Sequence, residues 1–431
     1  MSIQSIFISL FPHKIKSRVN TIKNMLLGGM TLTQFLLIGF IIVAIVCWLR
    51  IDYHFGRKNH LAKSKYEVFP LRKSDFELIV DGNHLFQDLM DCIRKSTKSV
   101  HVLFYIVRND QISEDFLALL GEKAQQGVEV RLLLDYIGSK RLKKQTIRGL
   151  KEKGVLFAYT HKPKLPFLFY SSQARNHRKI SVIDSKIAYL GGFNVGKEYL
   201  GHDLKFGLWR DYHLKVTGEG VNDLQKQFLK DWFDATGDND IENPRYYPVQ
   251  PAGASEQRFF ATYGEHLKKH VIEFIQMAKE EIFICSPYFI PGEEVLKELL
   301  LALKRGVRVR LMVPMKSDHP LVKEASFPYL SKLLPAGCEV YRFYQGFFHA
   351  KGIVIDDRLC DIGTANFDKR SQYLNDEMNC LIYDKTFIHE FKKYIDEDLT
   401  HSEQLTYKDY QKRPFQQRIL EVIATCLSHF L

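Results

Sequence analysis

The amino-acid sequence predicts an α/β protein in which two homologous halves, each a mixed or parallel sheet flanked by helices, follow an N-terminal transmembrane helix. Three observations support this fold class. Short apolar runs typical of strands alternate with amphipathic helical patterns over most of the chain. The order of these runs recurs about 180 residues later. Close to the N-terminus, residues 32–49 form an apolar run that contains no charge.

The composition is that of a folded, basic protein. At about 150 residues per domain, 431 residues predict two or three domains. Hydrophobic residues make up 45% and charged residues 26%, which excludes disorder and collagen, and a mean hydropathy of −0.20 excludes a polytopic carrier. The 61 Lys and Arg exceed the 50 Asp and Glu, giving a formal net charge of +11. This surplus predicts an anionic partner, either nucleic acid or an anionic lipid surface.

The seven cysteines are odd in number, scattered, and never spaced as CxxC. We interpret them as reduced thiols in a reducing compartment, with no disulfide framework and no zinc site. They are Cys47, Cys92, Cys285, Cys338, Cys360, Cys380 and Cys426.

A transmembrane helix is predicted over residues 31–50, after an N-terminal segment, 1–30. At about 1.5 Å per residue the apolar run spans roughly the 30 Å hydrocarbon core of a bilayer. No small-residue cleavage site follows Trp48, which argues against a cleaved signal peptide. More Lys and Arg follow the run than precede it, so the positive-inside rule favours a cytoplasmic body. A basic linker, 51–72, should connect the helix to that body.

The repeat divides the soluble body into a first half, 73–245, and a second half, 255–405. Predicted strands at 99–106 and 128–135 flank a predicted helix at 116–126, and the second half matches them with 281–288, 306–314 and 295–304. An Asn-, Pro- and Gly-rich stretch joins the halves. Residues 406–431 should form a C-terminal amphipathic helix, and its pattern suits either docking on the body or lying on a membrane.

Each half contains the pattern HxKxxxxDx₆GxxN. A single HxK has almost no specificity, whereas two copies with identical spacing inside a repeat leave little room for chance. The first copy consists of His177, Lys179, Asp184 and Asn194, and the second of His349, Lys351, Asp356 and Asn366.

The chemistry of this pattern suits a phosphate group. His and Lys, two residues apart at the start of a predicted strand, project on the same face of the sheet. Lysine and asparagine can donate to phosphate oxygens while imidazole acts as nucleophile or moves a proton. Facing one another across a pseudo-twofold axis, the two copies would form one active site that needs no metal and no cofactor.

The paired motifs resemble the HKD motifs of the phospholipase D superfamily, and the sequence is similar to bacterial cardiolipin synthases of the phospholipase D type. The resemblance covers about residues 69–405. It includes supporting blocks at 191–201, 209–211 and 315–320 and a very specific one, GTANFDKRSQYLNDEMN, at 363–379.

The resemblance implies a double displacement in which one motif histidine forms a phosphatidyl-histidine and the other serves as acid and base. It assigns His177 to attack and His349 to proton transfer. Asp184 and Asp356 belong to the signature, and their family role is mainly structural. Asp211 and Glu377 match the family positions that orient the imidazoles.

The function implied is the transfer of a phosphatidyl group between two phosphatidylglycerol molecules, giving cardiolipin and glycerol. The alternative is a phospholipase D-type hydrolase or a nuclease with the same motifs, because the motifs alone do not determine which hydroxyl attacks the intermediate. The expected partners are phosphatidylglycerol and anionic membrane lipids, without nucleic acid. The expected location is the cell membrane, crossed once.

Overall fold

One large sheet runs through both halves of the chain. The computed structural model of the protein describes residues 32–64 and 66–430; the predicted N-terminal segment, 1–30, lies outside the described residues.

The first half follows the N-terminal helix. Its helices, with that first one, are α1 Leu32–Lys63, α2 Gly82–Lys95, α3 Gln111–Gln125, α4 Lys144–Glu152, α5 Leu168–Gln173 and α6 Gly220–Thr236. Its strands are β1 Glu67–Val68, β2 Arg72–Ile79, β3 Ser99–Phe104, β4 Glu129–Asp135, β5 Leu156–Thr160, β6 Ile180–Ile183, β7 Ile187–Gly191, β8 Trp209–Arg210 and β9 His213–Gly218. Two 3-10 turns cover Lys197–Leu200 and Pro244–Tyr246.

The second half repeats this order. Its helices are α7 Leu267–Met277, α8 Glu293–Lys304, α9 Val322–Leu333, α10 Lys369–Tyr373, α11 Lys385–Thr400, α12 Tyr407–Gln411 and α13 Phe415–Leu427. Its strands are β10 Ser255–Tyr263, β11 Glu281–Cys285, β12 Arg308–Pro314, β13 Glu339–Phe343, β14 Phe347–Phe348, β15 Gly352–Ile355, β16 Leu359–Gly363, β17 Asp376–Ile382 and β18 Ser402–Leu405.

The predicted α/β fold with two repeats is confirmed, and its sheet is mixed. The strands of the main sheet follow the order β18-β13-β12-β11-β15-β16-β17-β10-β2-β9-β7-β6-β3-β4-β5, with β1 paired to β10. Only β3-β4-β5, β11-β12-β13 and the small β14-β8 pair are parallel. The remaining neighbours are antiparallel, and in two of these pairs, β6-β7 and β15-β16, a tight turn joins consecutive strands. The halves meet where β2 pairs with β10 over three residue pairs. One core cluster holds side chains from both halves, among them Phe228 on α6 and Phe391 on α11.

The helix α1 is long enough and apolar enough to cross a membrane, and its apolar window is not buried in the protein. It continues past the predicted segment 31–50, so the first part of the predicted linker 51–72 is helical as far as Lys63. The backbone N–H of Tyr170 donates to the Asp52 carboxylate at 2.7 Å, and Arg57 donates to the carbonyl of Gly264 at 3.2 Å. These contacts attach the end of the helix to the body.

Candidate active site

The two motif histidines lie where one half of the chain contacts the other. The backbone N–H of His177, in the first half, donates to the carbonyl of Asp376 in the second half at 2.9 Å. The backbone N–H of His349 donates to the carbonyl of Arg210 in the first half at 2.7 Å. These two contacts are related by the repeat, so the motifs converge on the boundary between the halves.

His177 is oriented by a carboxylate of the opposite half. Its Nδ1 lies 3.0 and 3.1 Å from the two carboxylate oxygens of Glu377. Burial raises the pKa of Glu377, but the facing His177 and neighbouring donors outweigh it and leave the pKa below its ordinary value. An ionised carboxylate only accepts, so Nδ1 carries the hydrogen and the lone pair of Nε2 is available for chemistry.

Glu377 is itself held by three donors. The hydroxyls of Thr364 and Ser371 donate to it at 2.6 and 2.8 Å, and the Asn375 amide donates at 3.3 Å. Its side chain is only 1% exposed. These bonds fix the carboxylate, and through it the ring of His177, in one position.

His349 has the equivalent arrangement, related to that of His177 by the repeat. Its Nδ1 lies 2.5 Å from Oδ2 of Asp211, which the first half supplies. A Cβ on Gly192 would approach the Asp211 carboxylate to 2.0 Å, so only glycine leaves room for it. Gly192 and Thr364 hold equivalent places in the two GxxN blocks. Gly192 leaves space for the carboxylate of Asp211, whereas Thr364 donates a hydrogen bond to that of Glu377.

Burial sets the protonation of the imidazoles. It lowers the pKa of His349 to about 4, aided by Lys351 and opposed by Asp211. It also lowers the pKa of His177, against the opposing effect of Glu377. Both rings are therefore neutral near pH 7, the form that a nucleophile or a general base needs.

The two lysines are fully buried beside the histidines. The ammonium of Lys179 donates to the carbonyl of His177 at 2.8 Å, and that of Lys351 donates to the carbonyl of His349 and lies 3.5 Å from Asp211. Burial lowers the pKa of Lys179 to about 7, and the charge of Lys351 adds to this effect. Burial also lowers the pKa of Lys351. An anion between them would stabilise both ammonium groups.

The two asparagines have different partners. The side-chain oxygen of Asn194 accepts from the backbone N–H of Ile106 at 3.1 Å, and its amide faces the Tyr199 hydroxyl at 3.4 Å. Asn366 lines a cavity together with Lys351, and its buried side-chain oxygen has no hydrogen-bond partner. Asn366 thus has an unpaired acceptor oxygen in the cavity that it shares with a motif lysine.

Asp184 and Asp356 are not brought to the histidines. They follow β6 and β15, at the opposite ends of these strands from the motif lysines. Each accepts three backbone N–H bonds, Asp184 from residues 97–99 and Asp356 from residues 279–281. Burial raises the pKa of Asp184, yet these donors hold it below its ordinary value. Both carboxylates therefore tie the start of β3 or β11 to the motif strand.

Three aromatic residues outside the predicted catalytic set contact the imidazoles. Tyr105 meets His177 edge-to-face with centroids 4.9 Å apart, and Trp209 lies 4.9 Å from the ring of His349. Tyr288 also contacts His349, at 6.4 Å. Tyr105 and Tyr288 come directly after β3 and close after β11, the strands that the repeat matched. An aromatic residue after each matched strand was the available signal.

Two further groups near the site come from outside the motifs. His161 lies 3.3 Å from the carboxylate of Asp376, the residue before Glu377, and His60 of α1 lies 3.9 Å from it. Among residues 32–64 and 66–430, no group of three or more His, Cys, Asp and Glu side chains is arranged to hold a metal ion.

Comparisons with known proteins match both halves of the chain. The family model described as cardiolipin synthase, phospholipase D-like domain, matches residues 89–232 and 271–399, one match in each half. Minor cardiolipin synthase ClsB of Bacillus subtilis is 46% identical over 398 residues, which are 92% of this chain and 99% of that protein. A cardiolipin synthase of Staphylococcus aureus is 41% identical over 370 residues, or 84% of this chain and 75% of that protein.

A solved structure shares the fold. Phosphatidylserine synthase of Haemophilus influenzae superposes with a TM-score of 0.65 at 16% identity, covering 84% of this chain and 97% of that one. The two repeats, the paired motifs and the extent of the sequence matches agree with one another. The chain therefore belongs to the cardiolipin synthase family of phospholipase D-like proteins.

Proposed function

We propose that the protein is a cardiolipin synthase that joins two phosphatidylglycerol molecules and releases glycerol. The observation that carries the proposal is the crossed pair of imidazoles, each with Nδ1 on a buried carboxylate of the other half and each beside a buried lysine. Relatives named cardiolipin synthase, 41% and 46% identical, support the substrate class. The apolar helix α1 supports a lipid substrate.

In the first step, Nε2 of His177 attacks the phosphorus of phosphatidylglycerol. A P–N bond forms and the P–O bond to glycerol breaks, while His349 gives its proton to the departing oxygen. The anionic phosphodiester favours the protonated form of His349, whose pKa is otherwise about 4. Lys179, Lys351 and Asn366 would donate to the phosphoryl oxygens as charge develops on them.

In the second step, the hydroxyl of a second phosphatidylglycerol attacks the phosphatidyl-histidine. His349, now neutral, takes the proton of this hydroxyl, and the P–N bond breaks to give cardiolipin. The choice of His177 as nucleophile rests on the family resemblance, because both imidazoles have the same kind of carboxylate partner. Water in place of the second lipid would give phosphatidic acid, the hydrolase alternative.

We further propose that the protein lies in the cell membrane with its body in the cytoplasm. Within about 15 residues of the apolar run, Arg50, Arg57, Lys58 and Lys63 follow it whereas only Arg18 and Lys23 precede it, which supports this orientation. Anionic lipids such as phosphatidylglycerol are the partners that the net charge of +11 favours, and no nucleic acid partner is proposed.

The test is the incubation of purified full-length protein with headgroup-labelled phosphatidylglycerol. A second label on an acyl chain follows phosphatidic acid, which loses the headgroup. We expect cardiolipin and glycerol in equal amounts. Phosphatidic acid as the main product would show that the protein is a hydrolase and not a transferase. Nucleic-acid cleavage without lipid turnover would show that it is a nuclease. Lys179→Ala and Lys351→Ala should each lower turnover by orders of magnitude, since preorganised donors contribute several kcal/mol to the transition state.

The assignment of the histidines has a separate test. With a substrate that carries an activated leaving group, His349→Ala should still form the phosphatidyl adduct, because such a group needs no proton. His177→Ala should form none. Rapid quenching and mass spectrometry of acid-labile phosphohistidine measure both, and an adduct on His349 in the His177→Ala variant would reverse the roles.

A further inference from the structure

The C-terminal helix α13 packs on the body through the side that is not apolar. The face that contacts the body carries residues spaced four, three and four apart: Gln417, Glu421, Ala424 and Ser428. Of these, Ala424 is fully buried and Ser428 is 5% exposed. The opposite face carries large apolar side chains that are exposed. These residues, which we name the apolar stripe, are Phe415, Ile419, Val422, Ile423 and Leu427.

The exposure of the apolar stripe is large. Phe415 is 74% exposed and Val422 is 65% exposed, although another face of the same helix is buried against the body. An amphipathic helix of a soluble protein turns its apolar face to the core. The reverse arrangement leaves a contiguous apolar surface in water unless another apolar phase covers it.

Specific polar contacts hold the helix in this orientation. Arg413 pairs with Glu421 at 3.1 Å, and the ammonium of Lys369 donates to the Ser428 hydroxyl at 2.9 Å. Arg370 donates to the carbonyl of Phe430 at 3.1 Å. Rotating the stripe into the body would break these bonds and turn the polar side chains that make them toward solvent, so the outward stripe is a property of the docked helix.

The helix ends beside the membrane-spanning segment. The ring of Phe430 meets Tyr53 of α1 edge-to-face at 5.8 Å. Tyr53 comes four residues after Leu49, the end of the apolar run, which is a rise of about 6 Å along the helix. The end of α13 therefore lies at the level where α1 leaves the apolar phase.

A second exposed apolar patch adjoins the same level of α1. Leu165 is 80% exposed and Leu168 is 43% exposed, at the start of α5. Helix α5 packs closely on α1, where a Cβ on Gly56 would approach the Cβ of Tyr170 to 2.5 Å. Exposed basic residues accompany both patches, Lys162 and Lys164 beside the leucines and Lys412 and Arg418 beside the apolar stripe. Apolar side chains flanked by basic ones match an anionic lipid surface.

We propose that the apolar stripe and the Leu165–Leu168 patch form a docking surface for the anionic bilayer that α1 enters, so that the body is held against the membrane at three places. The contact of Phe430 with Tyr53 makes this surface continuous with the membrane span, which favours the bilayer over a second copy of the chain. Helix α10, which α13 holds through Lys369 and Arg370, also carries Ser371, the donor to Glu377. The docked helix thus sets the height of the His177 site above the lipid.

The test uses the native thiol of Cys426, which is exposed and lies on the same face of α13 as the apolar stripe. Full-length Cys47→Ser protein is labelled with bimane and reconstituted into vesicles of phosphatidylglycerol and phosphatidylcholine that carry a nitroxide on the acyl chain. The matched control is Thr425→Cys in a background with Cys47→Ser and Cys426→Ser, which moves the probe by one residue out of the stripe. Labelling of the background alone is subtracted.

We expect the acyl-chain nitroxide to quench the probe at position 426 at least about twofold more than the probe at position 425, as for an interfacial helix. Equal and weak quenching at both positions would overturn the proposal. Crosslinking of Cys426 between two copies, with weak quenching by lipid, would overturn it in favour of a second copy. This readout needs no substrate turnover, so it is independent of the proposed function.

A second measurement separates docking from folding. Phe415→Ser with Val422→Ser should lower turnover of phosphatidylglycerol in vesicles about tenfold relative to turnover of a short-chain phosphatidylglycerol dissolved as monomers. Val249→Ser with Leu301→Ser, two exposed apolar residues outside the surface, is the control and should leave this ratio unchanged. An unchanged ratio in the stripe variant would contradict the proposal, whereas the absence of cardiolipin from both substrates would contradict the proposed function instead.

Discussion

Nδ1 of each motif histidine faces a carboxylate that belongs to the other half of the chain. Glu377 lies 3.0 Å from Nδ1 of His177, and Asp211 lies 2.5 Å from Nδ1 of His349, which the ammonium of Lys351 also approaches to 2.7 Å. Both carboxylates have a pKa below the ordinary value despite their burial. The chemistry of each imidazole is therefore controlled by residues about 140 to 200 positions away in the sequence.

At this scale we expect Glu377→Gln and Asp211→Asn each to lower kcat by about 10²- to 10⁴-fold, because an amide can present its N–H to Nδ1 and stabilise the wrong tautomer. Thr364→Val, which removes only one donor to Glu377, should lower kcat about tenfold. Steady-state rates with phosphatidylglycerol measure these effects. Unchanged kcat in Glu377→Gln would show that His177 needs no orienting carboxylate.

A third buried carboxylate, that of Asp361, predicts that the stability of the fold depends on pH. Burial raises the pKa of Asp361 on β16 to about 7, opposed only by the Asn379 amide, which donates to it at 2.8 Å. The unfolded chain releases this proton near pH 4. The folded form therefore binds one more proton between about pH 4 and 7, and stability falls as the pH rises through this window, by up to roughly 4 kcal/mol.

Asp361→Asn removes this titration and keeps an oxygen for the Asn379 amide. We expect the variant to be more stable than the wild type at pH 8 and to gain little at pH 4. Chemical unfolding in detergent at the two pH values measures the difference. An equal change at both would mean that the carboxylate of Asp361 is not protonated in the fold.

At the scale of elements, the junction between α1 and the body depends on one glycine. A Cβ on Gly56 would meet side-chain atoms of Tyr170 and Phe167 at 2.5 to 2.9 Å, so a larger residue must push α5 away. On the same helix Gly39 has nothing within 4 Å. The two positions make a matched pair for testing whether the contact matters.

We expect Gly56→Leu to lower the thermal stability of the detergent-solubilised protein by several degrees and to lower its activity, because overpacking costs about 1–3 kcal/mol. Gly39→Leu should leave both unchanged within error. Activity and unfolding temperature are measured side by side. If the two variants behave alike, the packing of α5 on α1 contributes nothing to the stability of the body.

Sequence patterns accounted for the elements better than for their orientation. The apolar run of α1, the matched β3 and β11 and the amphipathic α13 were all predicted, because their periodicity is local. The extension of α1 to Lys63 was missed, since it depends on tertiary contacts of Asp52 and Arg57. The outward stripe of α13 was also beyond prediction, because polar contacts at Glu421 and Ser428 decide which face docks.

At the scale of the whole molecule, the repeat and its two motifs predicted a single shared site. Asp211 and Glu377 were expected to orient the imidazoles, but which carboxylate serves which ring could not be read from the sequence. That pairing depends on how β8 and β14 and the segment at Asn176 and Asp376 cross between the halves. Contacts of such long sequence separation leave no local pattern.

The crossed site predicts that neither half works alone. Chains split within residues 247–254 should be inactive when made separately, because each lacks the carboxylate for its own histidine. Co-expression should restore activity in part, since β2 and β10 and a common core join the halves. Cardiolipin formation in membranes measures this, and activity from either half alone would contradict the crossed pairing.

Because each histidine faces a carboxylate from the other half, the two halves can become different from one another in sequence and in function. In a symmetric pair of identical chains, both imidazoles would face the same acid in the same surroundings and would bind protons equally. Covalent fusion of the two copies removes this equality: one ring now faces an aspartate beside Gly192, and the other a glutamate bonded to Thr364. Each copy can then specialise for one step of a two-step transfer. A substitution in either copy alters the histidine of its neighbour, so inherited changes in the two copies must remain coordinated.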